Sequence, residues 1–289
     1  MKPAPFAYLA PETVEEALAL LAQHGDDAKV LAGGQSLIPV MNFRLARPAV
    51  LVDLNRIASL DGIAEHDGAV RMGAMTRQRH AEQSALVKER APLLAETLPY
   101  IAHVQIRNRG TVGGSLAHAD PAAELPAIAL ALESRMRLRR ASGERWLQAR
   151  DFFTGLFATA LQADELLVEI EFPALPEGAT CAFEEVARRH GDYALMGVAV
   201  LVVRDGAGIC RDVRLAYVNA GPGPLRATRA EAMLVGQLPD AEAVRACADV
   251  ASQELRPGTD VHASSAYRRH LARVLTERAI HRALAGRAT

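Results

Sequence analysis

The chain has 289 residues, half of them apolar and 23% charged, with a net charge of −1, so it is long enough for two or three packed subdomains and reads as globular. Near-neutrality removes the electrostatic footprint expected of a protein that binds nucleic acid or an anionic membrane surface. The three cysteines, Cys181, Cys210 and Cys247, stand far apart without metal-ligand spacing; no disulfide framework, no metal site and no iron–sulfur cluster of the chain's own are expected, and a reducing cytoplasmic location fits. The opening MKPAPFAYLAPETVEEA lacks a signal-peptide core, and no apolar run reaches the roughly 18 residues of a membrane span.

Pro3 to Ala10 is a short extended lead-in. Thr13 with Glu16 forms a capping-box pattern, and Val14, Ala17, Leu18 and Leu21 then fall on one helical face until Gly25. Lys29 to Ala32 is a short buried strand that runs into Gly33-Gly34-Gln35-Ser36-Leu37, after which the chain stays apolar to Met41. Pro48 to Leu54 is another strand, so residues 1–55 form a first helix-and-strand unit. Val70 to Ala74 reads as a strand, the residues after Thr76 as a helix start, and Pro92 to about Ile101 as a helix. Gln105 to Gly110 is polar and basic, and leads into Thr111-Val112-Gly113-Gly114-Ser115-Leu116, a second glycine turn after a β-like segment. Asp120-Pro121 is read as a helix start, with Asp as cap and Pro at the first helical position. Glu124 then lies in the first turn of a helix ending near Leu132. Strands at Arg135–Arg140 and Leu166–Phe172 close a second unit, 56–175, and Pro173 to Gly178 is the linker.

In the last third, 176–289, Cys181 to Arg188, Gly197 to Val203 and Val213 to Val218 read as strands, the latter two joined by a hairpin turn at Asp205 to Gly208. Gly221-Pro222-Gly223-Pro224 breaks the chain. Asp240 to Leu255 and Ser264 to Leu284 are amphipathic helices. On the second of these, Arg268, Arg269, Arg273 and Arg278 suggest a solvated or partner-facing surface.

Paired glycines serve either as plain tight turns or as bare backbone against which an anion rests; two such segments in one chain suggest one extended anion, such as a dinucleotide pyrophosphate. Neither has Walker or Rossmann spacing. Asp120 reads first as a cap, and Glu124 as either a surface carboxylate or an acceptor for ligand hydroxyls. Arg107 and Arg109 are solvated or hold the loop by pairing. His103 and His118 have no triad or zinc partners at a diagnostic spacing. Tyr193, in Arg188–Tyr193, is part of a charged turn or stacks on an aromatic cofactor. No general acid or base is assigned.

Ala32-Gly33-Gly34-Gln35-Ser36-Leu37, taken with the run Ile106 to Pro121 (IRNRGTVGGSLAHADP), resembles the FAD-binding medium subunits of molybdenum hydroxylases, the family of aerobic carbon monoxide dehydrogenase and xanthine dehydrogenase. The likeness extends over essentially the whole chain. It implies an α+β fold in which two α+β subdomains of vanillyl-alcohol-oxidase type clasp FAD, followed by a domain with a small antiparallel sheet and helices. By that resemblance Ala32, Gly33, Gly34, Gln35, Ser36 and Leu37 hold the pyrophosphate, and Gly110, Thr111, Gly114, Ser115 and Ala117 line its other side. Glu124 takes cofactor hydroxyls, Ile101 and Ala102 lie close by, and Leu161 and Leu166 lie by the flavin ring. Gln35 stands where some members carry His, and Glu184 and Glu185 stand where a lysine near the flavin is common, which would disfavour an anionic reduced flavin.

The resemblance further implies electron transfer from 2Fe-2S clusters on a small partner subunit to FAD here. The substrate is oxidised at a molybdenum cofactor on a large partner, in a dimer of heterotrimers, and quinone, NAD or dioxygen is the final acceptor. Two other readings stay open at the level of sequence: a self-contained flavin oxidoreductase with its own small substrate, and a non-catalytic assembly subunit that has lost FAD.

Overall fold

The computed structural model describes residues 1–286; the last three residues of the expected 176–289 unit lie outside them. Helical and β elements are mixed throughout, as α+β implies. Thr13 caps the first helix, Val14–His24, by accepting from Glu16 N at 3.1 Å, while the Glu16 carboxylate reaches back to Glu12 N at 2.8 Å. The apolar face of this helix covers a three-stranded parallel sheet ordered Ala7–Leu9, Val50–Asp53, Ala28–Leu31.

A five-stranded antiparallel sheet follows, ordered Ile63–His66, Ala69–Gly73, Leu166–Phe172, Arg135–Arg140, Gly143–Gln148. Its central strand is buried on both faces. Leu166 and Val168 join the core beside the parallel sheet, and Leu167, Ile170 and Phe172 join the core beneath the helices Pro92–Thr97 and Glu124–Ala131. The edge strands Ile63–His66 and Gly143–Gln148 are largely exposed and polar, so they carry little hydrophobic signal and went unpredicted.

The third sheet is antiparallel, ordered Ala179–Ala187, Ala194–Arg204, Cys210–Val218, Leu225–Arg226. Period-2 alternation sorts its faces. Phe183, Ala199, Leu201, Ala216 and Val218 pack into the core shared with the five-stranded sheet, whereas Ala182, Val198, Val200, Val202 and Tyr217 pack against Ala241–Glu254 and Ser265–Ala285. A sheet covered on both sides explains the unbroken apolar run of its second strand. One hydrophobic core therefore runs from the five-stranded sheet to the four-stranded one, fixing their relative position.

Residues Leu37–Asn42 and Val104–Arg107, assigned no element from sequence, are short helices. Two sequence expectations are corrected. Asp120 is not a helix cap: its carboxylate accepts from Ala122 N at 2.9 Å in a local turn, and the helix begins at Glu124, after Ala123. Arg268 is not on the surface. It is 2% exposed, with Nη1 donating to Leu195 O at 2.7 Å and Nη2 to Asp260 at 2.6 Å. Replacing Arg268 with Met keeps the stem packing but strands the Leu195 carbonyl. The expected loss is about 1–3 kcal/mol, measured as a lower denaturant midpoint at unchanged slope.

Candidate functional site

The strand Ala28–Leu31 delivers the chain into a bend at residues 32–36, and the helix Leu37–Asn42 leads it away. Among the described residues, no acceptor is bonded to the backbone N–H groups of Gly33, Gly34, Gln35, Ser36 and Leu37. The neighbouring carbonyls are occupied instead: Ala32 O accepts from Asn55 Nδ2 at 2.9 Å, and Gly33 O from the Gln35 side-chain amide at 3.1 Å. Gly34 has φ +74°, a conformation open to glycine at little cost. A run of free amides with its carbonyls tied back is an anion-binding nest.

The second glycine segment is built differently from the turn expected. Thr111 caps a helix, Val112–His118, that contains both glycines; its hydroxyl accepts from Gly114 N at 3.0 Å. Val112 N and Gly113 N donate to Thr76 O and Ala74 O. These amides are engaged, so this wall offers bare Cα surface and the side chains of Thr111 and Ser115 rather than a second nest. The two segments meet backbone to backbone. A Cβ on Gly33 would stand 2.3 Å from Arg109 O and 2.8 Å from Gly110 Cα, and one on Gly114 would stand 3.2 Å from the Ala32 side chain.

Between them lies a cleft of about 770 Å³, a size suited to a large organic cofactor. Its walls include Ala32, Gly33, Gly34, Gln35, Ser36, Leu37, Ile101, Ala102, Gly110, Thr111, Gly114, Ser115, Ala117, Glu124, Leu161 and Tyr193. Leu166 is the exception. Its strand turns it into the buried cluster that includes Leu18 and Val52, where it is 3% exposed, so it does not reach the cleft. Glu184 and Glu185 do not line the cleft either. Lys29, Gln78 and Phe157 do, and the sequence reading missed them. Phe157 lies beside His118, ring centroids 5.1 Å apart. Gln78 is 5% exposed and its Oε1 is buried without a partner beside Gly110. Gln78 carries no local signal, because its place comes from a contact 32 residues away.

Arg107 sets one rim. Its guanidinium donates to Glu82 at 2.8 Å and to the carbonyls of Ile101 and Ala102 at 2.9 and 3.0 Å. It thereby holds the loop by pairing, one of the two readings open from sequence, and fixes Ala102 at φ +45° on the cleft wall.

Comparison with known proteins decides the family. Residues 4–175 match the FAD binding domain in molybdopterin dehydrogenase, and residues 181–283 match the CO dehydrogenase flavoprotein C-terminal domain. The chain belongs to this flavoprotein family. It is 43% identical to the 6-hydroxypseudooxynicotine dehydrogenase complex subunit alpha of Paenarthrobacter nicotinovorans, covering 98% of this chain and 96% of the relative. It is 41% identical to the carbon monoxide dehydrogenase medium chain of Hydrogenophaga pseudoflava, covering 99% of each. The fold superimposes on a solved structure of carbon monoxide dehydrogenase from Hydrogenophaga pseudoflava with a TM-score of 0.96 at 43% identity, covering 99% of each chain. The protein is thus an FAD-binding medium subunit of an oxidoreductase of the carbon monoxide and xanthine dehydrogenase type.

The flavoprotein cleft suits such a cofactor. Its free amides match a diphosphate. Its far wall is acidic. Burial lifts the Glu124 carboxyl to about 7, and nearby Asp120 adds to the shift. On the strand Ala179–Ala187, alternation turns Glu184 toward the C-terminal helix, where Arg282 pairs with it at 2.6 Å. The same alternation turns Glu185 toward Glu124. Burial lifts Glu185 to about 9, repulsion by Glu124 contributes, and its Oε2 has no partner. Burial likewise lowers His118.

In the unfolded chain these glutamates ionise near about 4.3; in the fold they stay neutral to higher pH. The unfolded state therefore releases protons first, and stability falls as pH rises from about 4.5 through the raised values. Glu185→Gln is expected to leave stability at pH 5 nearly unchanged and to raise it by about 1–3 kcal/mol at pH 9, read from urea midpoints. Equal shifts at both pH values would contradict the assignment.

Proposed function

We propose that this medium subunit carries FAD in the cleft and passes electrons between subunits. In this reading the amides of residues 33–37 hold the pyrophosphate, and Gly110, Thr111, Gly114, Ser115 and Ala117 form the facing wall. Glu124 accepts from cofactor hydroxyls; Ile101, Ala102, Leu161 and Tyr193 border the bulky ends. Bound FAD supplies the redox chemistry. The chain's own work is to bind, orient and screen it. The run of unpaired amides opposite bare backbone is the observation that carries this reading, because such a nest selects an extended anion.

The partners proposed are a large subunit, with a molybdenum cofactor where substrate is oxidised, and a small subunit with 2Fe-2S clusters that feed electrons to the flavin. The assembly is a dimer of heterotrimers in the cytoplasm, and a quinone, NAD or dioxygen takes the electrons. Relatives named as a complex subunit and a medium chain support partner subunits; no helix among the described residues is long and apolar enough to cross a membrane. The units are 1–55, 56–175 and 176–289, the first two forming a clasp of vanillyl-alcohol-oxidase type. The test is purification from the native source. Flavin should be present at one per chain, accompanied by molybdenum and iron. A colourless preparation that takes up no added FAD would refute the reading.

A further inference from the structure

Two carbonyls, Ala32 O and Arg109 O, immediately precede the glycines Gly33 and Gly110 at the closest approach of the two cleft walls. A chain of side chains joins them from behind. Asn55 Nδ2 donates to Ala32 O at 2.9 Å, Arg77 Nη2 donates to Asn55 Oδ1 at 2.6 Å, and Arg77 Nη1 donates to Arg109 O. The Asn55 end is anchored in the first sheet. Asp53 Oδ1 accepts from Asn55 N at 2.9 Å, and Asp53 Oδ2 accepts from the Tyr8 hydroxyl at 2.6 Å. Neither Asn55 nor Arg77 lines the cleft.

In a trans peptide the C=O and the following N–H point to opposite sides. Tying the Ala32 carbonyl back to Asn55 therefore turns the Gly33 N–H the other way. It also turns a carbonyl dipole away from a site built for an anion. At the other end, Arg109 O is the very atom that a Cβ on Gly33 would strike. The contact from Arg77 thus sets the spacing of the two walls. A guanidinium suits the task because its planar fork reaches two acceptors at once.

We propose that Asn55 and Arg77 are positioning residues for the cofactor, forming one brace that aims the Gly33 amide and fixes the gap between the glycine segments. The proposal rests on the FAD reading above. The test uses the protein as purified with its subunits, stripped of flavin, with FAD and ADP as probes. Asn55→Ala and Arg77→Ala should each weaken both probes by the same factor, about 10- to 100-fold. The double variant should be no worse than the poorer single one, because one brace is lost only once.

Asn55→Asp keeps the acceptor for Arg77 but loses the donor to Ala32, and should bind as poorly as Asn55→Ala. Arg77→Lys should not rescue binding. Melting temperatures of the flavin-free variants should stay within a few degrees of wild type, which separates positioning from unfolding. Binding of both probes at wild-type strength, additive losses in the double variant, or rescue by lysine would each overturn the brace while leaving the cofactor reading intact. A wild-type protein that binds neither FAD nor ADP would overturn that reading, and the brace with it.

Discussion

Gly33→Ala is expected to lower FAD affinity by about 100-fold, seen as loss of flavin absorbance on gel filtration. The added carbon would stand 2.3 Å from Arg109 O and 2.8 Å from Gly110 Cα. Both obstacles are backbone, so no rotamer change relieves them, and the two walls of the cleft must separate. Separation moves the amides of residues 33–37 away from the surface of Gly110 and Gly114. Gly114→Val should act in the same direction, since its Cβ would stand 2.5 Å from Thr111 Oγ1, the oxygen that caps the helix Val112–His118. Gly236→Ala is a useful control. Its φ of +81° makes alanine unfavourable, but open space surrounds it, so it tests backbone strain without touching the cleft. It should keep its flavin. A Gly33→Ala protein with a full flavin spectrum would show that the cofactor does not lie between these segments.

Arg107→Ala is expected to cost about 1–3 kcal/mol of stability, because it leaves the half-buried Glu82 carboxylate with only its contact to Arg79. It also strips donors from the carbonyls of Ile101 and Ala102. Arg107→Lys should recover only part of this, since an ammonium lacks the fork that reaches Glu82 and the carbonyls together. The loss should depend on pH in a defined sense. Burial pushes the Glu82 carboxyl upward, but hydrogen bonds from Arg107 and Arg79 outweigh it and hold the carboxyl below its usual range. The stabilisation is therefore present above the ordinary glutamate value and is lost as pH falls through the depressed folded one. Guanidinium midpoints of wild type and variant should converge in acid. A constant gap from about pH 7 to 3 would point to lost packing instead.

Local patterns carried much of the architecture. Thr13 and Glu16 announced the first helix, Arg135–Arg140 was legible as a strand from Met136 and Leu138 alternating with arginines, and Leu166–Phe172 from its aliphatic run. The pattern Asp120-Pro121 misled because an aspartate that closes a local turn and one that caps a helix use the same hydrogen bond to a following amide. The second glycine pair misled for a related reason: small residues serve a turn and a close helix contact equally well, and here Gly113 N donates to Ala74 O across the interface.

From the sequence alone came the family motif, the α+β composition, the chain order of most elements and the segments that border the cleft. Those properties depend on residues near one another in the chain. Only the tertiary structure decided that Leu166 faces a core, that Arg268 is buried, that Glu184 and Glu185 point to opposite partners, and that Asn55 and Arg77 tie two glycine segments together. Each of these turns on contacts between residues roughly 20 to more than 100 positions apart. Strand alternation restricts a side chain to one of two faces, but which face meets a helix, a core or a cleft is settled only when the sheets pack.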